Sequence, residues 1–405
     1  LAISSLTFNT NSFAQSEEDQ SFTGIEEIIV TARKKEEPLQ ETPVTITALT
    51  DAKIQKLYAT DLQDLGMSVP NLLINTAASG SFTNSAAVFM RGIGNSDIDS
   101  TIDPPIGIFI DGVYVPRSSN SNLDLFDVEQ VEVLRGPQGT LFGRNTTAGA
   151  IVVRSKRPTG EFGAKARLTM GDYGRRDLRV AVETPLSDTV NAKISILQQK
   201  SDGFFKAKYQ THPDYSVPAQ MGYEYDGDYE DTGGDDVFSV RPMLEFNPSE
   251  TFKLTLIGEY SKDRSQPIPA INASKPNQVL SRVYGRPGTG YQSNVILNFG
   301  PGYIHADIKG LTAEAIWELD SGTLTSITNY RETEYQMREE IDWTDAPMFG
   351  IVRTEPHEQK STELRYTTDL SDRLSLTAGI YLFEQEYTLR RDTYINTSGA
   401  FLAHI

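Results

Sequence analysis

From about residue 160 onward, apolar and polar positions alternate along the chain with a period of two. This period is typical of β-strands, whose successive side chains point to opposite faces. Each alternating segment runs for about ten residues, the length that a tilted strand needs to cross a bilayer. The clearest apolar faces are Leu178, Val180 and Val182; Phe252, Leu254 and Leu256; Leu311, Ala313, Ala315, Trp317 and Leu319; and Leu374, Leu376, Ala378, Ile380 and Leu382. About nine such segments are expected.

The connections between these segments are of two kinds. The segments 201–235, 263–310 and 334–357 are long and polar. The tight connections are Leu186-Ser187-Asp188, Asn247-Pro248-Ser249-Glu250, Asp320-Ser321-Gly322 and Leu370-Ser371-Asp372. Short turns at one end and long loops at the other are typical of an outer-membrane β-barrel. We therefore predict a transmembrane antiparallel β-barrel over 160–405, and we expect it to be incomplete because an open strand edge is not tolerated in hydrocarbon.

The region 38–158 has a different texture, with short strands, short helical patterns and glycine turns, and it predicts a compact α+β domain. Asp51 is the expected N-cap of an amphipathic helix that carries Ile54, Leu57 and Tyr58 at helical spacing. A second short helix from Asp61 should end near Gly66.

The second half of this domain reads as strands. Residues 106–115 predict a β-hairpin, with Asp111-Gly112 at its turn. Val128 to Leu134 alternates apolar and acidic positions and runs into a glycine-rich stretch that ends at Arg144. That stretch lacks the Gly-Lys-Ser/Thr ending of a phosphate-binding loop, and no amphipathic helix follows it as in a dinucleotide fold.

The first 37 residues divide into two parts. Residues 1–15 resemble the end of a secretory signal peptide, with Ser12 and Ala14 as small residues before a cleavage point, although a disordered arm would have a similar composition. Residues 16–37 predict a flexible linker that contains one β-branched island at 27–32. This island would suit addition to the edge of another protein's sheet, or it is the first strand of the domain that follows.

Composition and charge exclude several classes of protein. The 405 residues include 37 Lys plus Arg and 55 Asp plus Glu, a formal net charge of −18, which argues against the basic surface of a nucleic-acid-binding protein. Cys is absent and the four His are scattered, so there is neither a thiolate nucleophile nor a His/Cys zinc spacing. No apolar run approaches the roughly 18 residues of a membrane-spanning helix. We predict no enzyme, no catalytic residues, no cofactor and no metal site.

Two polar loops are candidates for ligand contact, each with a plainer alternative. Asp97, Asp99 and Asp103 lie between two predicted strands, where acidic residues are also simply solvated. The loop 209–236 contains Tyr223, Tyr225 and Tyr229, whose rings would stack on a flat ligand. Its acidic residues suit Ca²⁺ but lack the glycine of an EF-hand loop, and a hydrated surface loop is the alternative.

The whole arrangement resembles the TonB-dependent outer-membrane receptors. The segment Glu27-Ile28-Ile29-Val30-Thr31-Ala32 is similar to the family's TonB box, and residues 131–143 are similar to its plug signature, with Phe142 where Tyr is common. Residues 90–94 and 108–114 match two further plug segments. The family's carboxy-terminal strand is not found, so we expect an N-terminal fragment.

This resemblance implies a plug inside a 22-stranded barrel, placed in the outer membrane in contact with its lipid. It implies active import of a scarce ligand, most commonly a ferric siderophore, driven by the proton-powered inner-membrane motor through TonB, which would pair with residues 27–32. It also implies that Arg91 and Arg135 pair with barrel carboxylates as a lock, although each is alternatively a surface arginine. Import of cobalamin or oligosaccharide is the alternative cargo, and a passive porin is the alternative class.

Overall fold

The structure, a computed structural model, describes residues 6–7, 27–76, 85–95, 101–117, 123–209, 231–267, 295–298, 302–340, 349–371 and 373–395. The helices are α1 (Asp51–Lys56), α2 (Leu62–Gly66) and α3 (Gly139–Phe142). The strands are β1 (Leu6–Thr7), β2 (Ile29–Val30), β3 (Glu37–Pro38), β4 (Ile46–Thr50), β5 (Leu72–Asn75), β6 (Ala87–Met90), β7 (Ile93–Gly94), β8 (Ile106–Ile110), β9 (Val113–Val115), β10 (Val128–Arg135), β11 (Gly149–Ser155), β12 (Gly163–Met170), β13 (Arg176–Ser187), β14 (Val190–Lys200), β15 (Lys206–Tyr209), β16 (Asp236–Ser249), β17 (Phe252–Asp263), β18 (Val295–Asn298), β19 (Tyr303–Leu319), β20 (Gly322–Glu340), β21 (Phe349–Ser371), β22 (Leu374–Tyr387) and β23 (Arg390–Ile395).

The compact domain is built on a five-stranded sheet of order β4-β10-β11-β8-β9, in which β11 and β8 are parallel and the other pairs antiparallel. Strands β5, β6 and β7 form a smaller sheet beside it. The main core packs α1 and α2 against both sheets, with Leu49, Leu62 and Val131 almost fully buried. The predicted hairpin is confirmed: β8 and β9 pair across Asp111 and Gly112, whose φ angles of 48° and 81° suit a type I′ turn.

The helices differ in detail from the prediction. The N-cap of α1 is Thr50, and Asp51 is instead the first helical residue, with its carboxylate bonded to the ammonium of Lys156. Tyr58 lies outside α1 with a φ of 55° and is 85% exposed, because the helix ends before its ring could return to the core face. The second helix ends at Gly66 as predicted, and the carboxylate of its N-cap Asp61 accepts from the backbone N–H of Asp64.

The second half of the chain forms one large antiparallel sheet, called the wall below. Nine consecutive members, each paired to the next, run β12-β13-β14-β16-β17-β19-β20-β21-β22, as the alternating segments predicted. Strand β1 pairs with β12, and β23 pairs with β21. All four predicted tight connections join neighbouring strands at one end of the wall.

Three strands are much longer than the predicted ten residues or so. Strands β19, β20 and β21 contain 17, 19 and 23 residues. The predicted loop over 334–357 was therefore wrong at both ends, because the β20–β21 ladder continues into it, with Glu334 opposite Pro356 and Arg338 opposite Val352. Residues 341–348 lie outside the described residues. Backbone pairing does not require apolar side chains. The paired strands therefore extend beyond the alternating apolar positions from which the strand length was predicted.

The outer face of the wall is apolar, and its inner face is mixed, with charged side chains and an apolar group of Ile304, Ala306, Tyr335 and Met337 that packs with Ala87 of the compact domain. Leu244, Trp317 and Ile380 are 44%, 49% and 65% exposed, whereas the inward Arg179 and Glu245 are only 2% and 3% exposed. The compact domain lies against this inner face and covers its charged side chains. Among the described residues, no helix combines the length and the apolar character needed to traverse a bilayer.

Candidate functional site: the N-terminal segment and the domain–wall interface

The N-terminal segment, residues 27–37, is folded back onto the compact domain. Its β2 pairs with β3 in a two-stranded ribbon, with Ile29 opposite Pro38 and Val30 opposite Glu37. Val30 and Ala32 are 0% and 1% exposed, whereas Ile29 is 40% exposed. The structure thus gives the β-branched island a pairing partner within its own chain, and the part of the linker before residue 27 lies outside the described residues.

The segment covers the acidic face of β10. Val131 and Val133 point into the main core, whereas Glu132 and Leu134 point to the opposite side, where Ala32 packs with Leu134 and Phe109. Both faces of β10 are therefore buried, although its alternating pattern by itself indicates one solvated face.

Glu132 is fully buried and makes the polar contacts to this segment. Its Oε1 accepts from the backbone N–H of Thr31 at 2.8 Å and from the Thr31 hydroxyl at 3.0 Å. The side-chain amide of Gln130 also donates to Oε1, at 3.2 Å, and to the carbonyl of Ile29, at 3.1 Å. Burial raises the pKa of Glu132 and outweighs the lowering by the Thr31 and Gln130 donors and by Arg154.

Two lysines just after the island connect it to the wall. The ammonium of Lys34 lies 3.2 Å from the carboxylate of Glu363 on β21 and 4.9 Å from the ring centroid of Phe142. The ammonium of Lys35 lies 2.6 Å from Asp369, close to the short-turn end of the same strand. Burial lowers the pKa of Lys34, although Glu363 opposes this effect. These contacts place the N-terminal segment at the short-turn end of the wall.

The two arginines predicted as a lock have other surroundings. Arg135 donates to the carbonyl of Pro70 at 3.3 Å and to the hydroxyl of Thr47 at 3.2 Å, both within the compact domain. Arg91 is exposed and its backbone N–H bonds to the carbonyl of Asn71. No ion pair of either arginine with a carboxylate occurs among the described residues, and the predicted lock stays a prediction.

The sequence analysis missed the acidic residue that joins the compact domain to the wall most directly. Asp111, at the tip of the β8–β9 hairpin, has a side chain that is 2% exposed and accepts from the backbone N–H and the hydroxyl of Ser155, each at 2.9 Å. It forms an ion pair with Arg241 on β16 and lies 3.7 Å from Arg157, which in turn contacts Glu314 on β19 at 2.6 Å.

Burial alone would raise the pKa of Asp111, but Arg241, Arg157 and the two Ser155 bonds outweigh it and lower the pKa. The pair of Asp111 with Arg241 has the reverse polarity of the predicted lock, whereas the pair of Arg157 with Glu314 has the predicted polarity but uses a different arginine. The sequence identified Asp111 only as part of the Asp-Gly turn. Because the turn already accounts for an Asp at this position, its ion pair with the wall was not predicted.

Two further carboxylates of the compact domain pair with basic side chains of the wall, on strands β13 and β14. Asp124 accepts from Arg179 on β13 at 2.8 Å, and Asp127 accepts from Lys193 on β14 at 2.8 Å. Arg179 and Lys193 are almost fully buried, so these pairs are shielded from water. Shielded charged hydrogen bonds are stronger than exposed ones, and they orient the domain against the wall.

The opposite end of the compact domain faces the long connections. Asp103 forms ion pairs with Arg144 and, at 3.5 Å, with Arg117, whose guanidinium lies 4.0 Å from the ring centroid of Tyr387 at the far end of β22. Asp103 is therefore engaged within the chain. The remaining candidate ligand contacts lie outside the described residues: Asp97, Asp99, Tyr223, Tyr225 and Tyr229. Of the acidic residues considered for Ca²⁺, Asp226, Asp228 and Glu230 also lie outside them, whereas Asp235 accepts from the side-chain amide of Gln199 at 3.1 Å and Asp236 lies 3.4 Å from the ammonium of Lys200. In the described part of the chain, no group of three His, Asp or Glu is arranged to hold a metal ion.

Comparison with known proteins agrees with this geometry. Residues 38–150 match the family described as TonB-dependent Receptor Plug Domain. Residues 38–150 are therefore a plug domain of this family. Over 165 residues, or 40% of the chain, it is 30% identical to the catecholate siderophore receptor Fiu of Escherichia coli, of which the match covers 20%. Over 355 residues, or 82% of the chain, it is 23% identical to the vitamin B12 transporter BtuB of Vibrio vulnificus, of which the match covers 58%.

Solved receptors have the same fold. The ferric yersiniabactin uptake receptor FyuA of Yersinia pestis superposes with a TM-score of 0.69 and 18% identity over 87% of this chain and 50% of its own. The chain thus spans about half the length of this receptor and less than two thirds of the curated relatives. The plug and wall together have the fold of these solved receptors, with a wall that is partial rather than closed.

Proposed function

We propose that this protein imports a ferric siderophore, or another scarce iron complex, across the outer membrane in a TonB-dependent manner. The observation that carries the proposal is a plug domain held by buried ion pairs against the inner face of a wall whose outer face is apolar. An apolar band outside and charged groups inside are what a barrel in lipid needs. The relatives that are catecholate siderophore and ferric yersiniabactin receptors support the choice of cargo.

The direction of transport follows the two ends of the plug. The N-terminal segment lies at the short-turn end, which faces the periplasm in bacterial barrels, and the Asp103 end lies toward the long loops outside. A ligand would bind from outside above Asp103, together with Asp97, Asp99, Tyr223, Tyr225 and Tyr229. TonB and its proton-driven motor would pull on residues 27–32, and no covalent chemistry is needed.

Deletion of residues 27–32 tests this function. In iron-starved cells, we expect the deletion to abolish uptake of radioactive iron supplied as a catecholate siderophore, as an uncoupler of the proton gradient also should. Deletion of residues 16–21, which has the same length and lies before the box, is the matched control and should leave uptake unchanged. Uptake that survives both the box deletion and the uncoupler would indicate a passive pore.

The match to a vitamin B12 transporter over 82% of the chain favours cobalamin as the second candidate cargo. The two cargoes are separated by one growth comparison. A deletion of the whole gene should abolish growth on the iron–siderophore complex under iron limitation and leave cobalamin-dependent growth unchanged. The opposite result would identify cobalamin as the cargo.

A further inference from the structure

The backbone of residues 27–32, called the box segment below, already makes hydrogen bonds within the chain in this structure. The carbonyl of Ile28 accepts from the N–H of Leu39 at 2.8 Å, and that of Thr31 accepts from the N–H of Lys34 at 2.8 Å. Ile29 and Val30 pair with β3, and Ile29 also accepts from Gln130. A strand that adds to a partner's sheet must offer free N–H and C=O groups along one edge. In this state, the carbonyls of Ile28, Ile29 and Thr31 and the N–H of Thr31 are bonded within the chain, and a partner strand could take them only by breaking those bonds.

The bond that closes this arrangement on the plug is made by Glu132. One carboxylate oxygen accepts both the backbone N–H and the hydroxyl of Thr31, at 2.8 and 3.0 Å, across 101 positions of sequence. The β2–β3 ribbon has only two paired positions, so pairing alone holds the segment weakly. Val30 and Ala32 of the segment are buried in this closed state, and they become exposed if the segment leaves the plug.

We propose that Glu132 is a latch that keeps the box segment closed on the plug, so that the closed segment and a segment paired with a partner strand are mutually exclusive states. The inference rests on the proposed function only for the identity of the partner, and it concerns the regulation of that same site. Pulling or binding by a partner would first have to break the Thr31–Glu132 bonds, which sets how often the segment is available.

These 405 residues contain no Cys, so within them an introduced thiol is the single site of labelling, and labelling of the unaltered full-length protein gives the background to subtract. In detergent-solubilised full-length protein, without TonB and without ligand, Val30→Cys places a thiol at a fully buried position and Glu27→Cys places one at an exposed position. Maleimide labelling rates are measured for each, and the Glu27→Cys rate is the control for reagent access. We expect Val30→Cys to label far more slowly than Glu27→Cys.

Latch variants are then combined with Val30→Cys. Glu132→Ala removes the acceptor, and we expect its labelling rate to rise about tenfold. Thr31→Val removes the hydroxyl donor and keeps the backbone N–H, and it should raise the labelling rate about threefold. If Glu132→Ala does not fold, the labelling rate of Thr31→Val alone tests the latch. Glu132→Gln keeps an acceptor oxygen at the same place and should stay protected.

Three results would overturn the proposal: equal rates for the two thiols in the otherwise unchanged chain, unchanged protection in both Glu132→Ala and Thr31→Val, or loss of protection in Glu132→Gln. Because labelling involves neither TonB nor cargo, its outcome is independent of the uptake experiment. A working latch in a protein that does not import iron would refute the proposed function alone.

Discussion

At the scale of single residues, the contacts that seat the plug are made by side chains with an ordinary local explanation. Asp111 is a turn residue, and Glu132 is one acidic position in an alternating strand. Each becomes buried only because a distant part of the chain covers it, Arg241 in one case and Thr31 in the other. Burial converts these ordinary acids into the most consequential polar groups of the plug.

Replacing Asp111 by Asn should loosen the plug strongly. The change leaves Arg241 and Arg157 facing a neutral group in a shielded site, and the loss of one partner from such a pair costs about 3 kcal/mol. Hydrogen exchange of the β8 and β9 amides measures the effect. Asp369→Asn removes a solvent-exposed pair between the wall and Lys35 of the N-terminal segment and is the control, with no measurable change expected. Equal effects of the two variants would contradict the prediction.

The stability of the plug should also depend on pH through Glu132. Burial raises the pKa of Glu132, so the folded state favours the neutral carboxyl more than the unfolded state does. This contribution to the free energy of unfolding is fully present below pH 4.5, the usual pKa, and is lost as pH rises through the raised pKa. Glu132→Gln is neutral throughout, so the unfolding midpoint of the wild type should fall relative to this variant as pH rises from 4 to 8. Calorimetry at a series of pH values measures it, and a constant difference would show that Glu132 does not titrate in this range.

At the scale of elements, the β8–β9 hairpin connects the plug sheet to the wall. Its backbone turns at Asp111 and Gly112, and the amide of Gln359 on β21 donates to the carbonyl of Tyr114 at 2.9 Å. A Cβ added to Gly112 would lie 2.5 Å from Cδ1 of Ile327 on β20. The hairpin therefore touches the wall with its tip, its backbone and its carboxylate.

Gly92 and Gly112 have the same φ of 81°, so a comparison of alanine variants at the two positions distinguishes backbone strain from contact with the wall. Gly112→Ala and Gly92→Ala both place Cβ in the left-handed region, but nothing lies within 4 Å of the new atom at Gly92. We expect Gly112→Ala to lower the free energy of unfolding of the plug by about 1 kcal/mol more than Gly92→Ala, because Ile327 must move. Calorimetric unfolding of the two variants measures the difference, and identical midpoints would mean that the tip does not press on the wall.

At the scale of the whole molecule, the plug lies against a face of the wall that carries charged side chains. The inner face carries Arg179, Glu245 and Arg331, all nearly buried by the plug and the neighbouring strands. Arg179 pairs with Asp124 of the plug, whereas Arg331 pairs with Glu259 of the wall itself. Without the plug, these groups would face water. In a closed barrel, a water-filled lumen lined in this way would pass polar solutes.

Deletion of residues 38–158 from the full-length protein should therefore leave a leaky barrel in the membrane. The expected result is entry of a hydrophilic dye into cells that exclude it when they carry the unaltered protein. The deletion of residues 27–32 is the control, since it should stop uptake of cargo without admitting the dye. Exclusion of the dye by both variants, with the strands present in the membrane, would argue that the plug does not close the lumen.

Much of this architecture was readable from local pattern. The alternation around Leu178 and Leu374, the four tight turns and the Asp111-Gly112 hairpin predicted the strands, their antiparallel order and their two unlike ends, because side-chain period and turn chemistry act over a few residues. The errors were local too: the helix after Thr50 ended early, and the ladder of β20 and β21 outran its apolar stripe.

Which charges meet was decided only when the chain folded. Arg135 turned toward Thr47 within the plug, while Asp111, 130 positions from Arg241, met the wall, and Thr31 met Glu132 across 101 positions. A carboxylate has the same local pattern whether it is solvated or buried, and only the packing of distant strands removes its water and selects its partner. The fold class was thus a property of periodicity, whereas the latch and the plug–wall pairs are properties of tertiary contact.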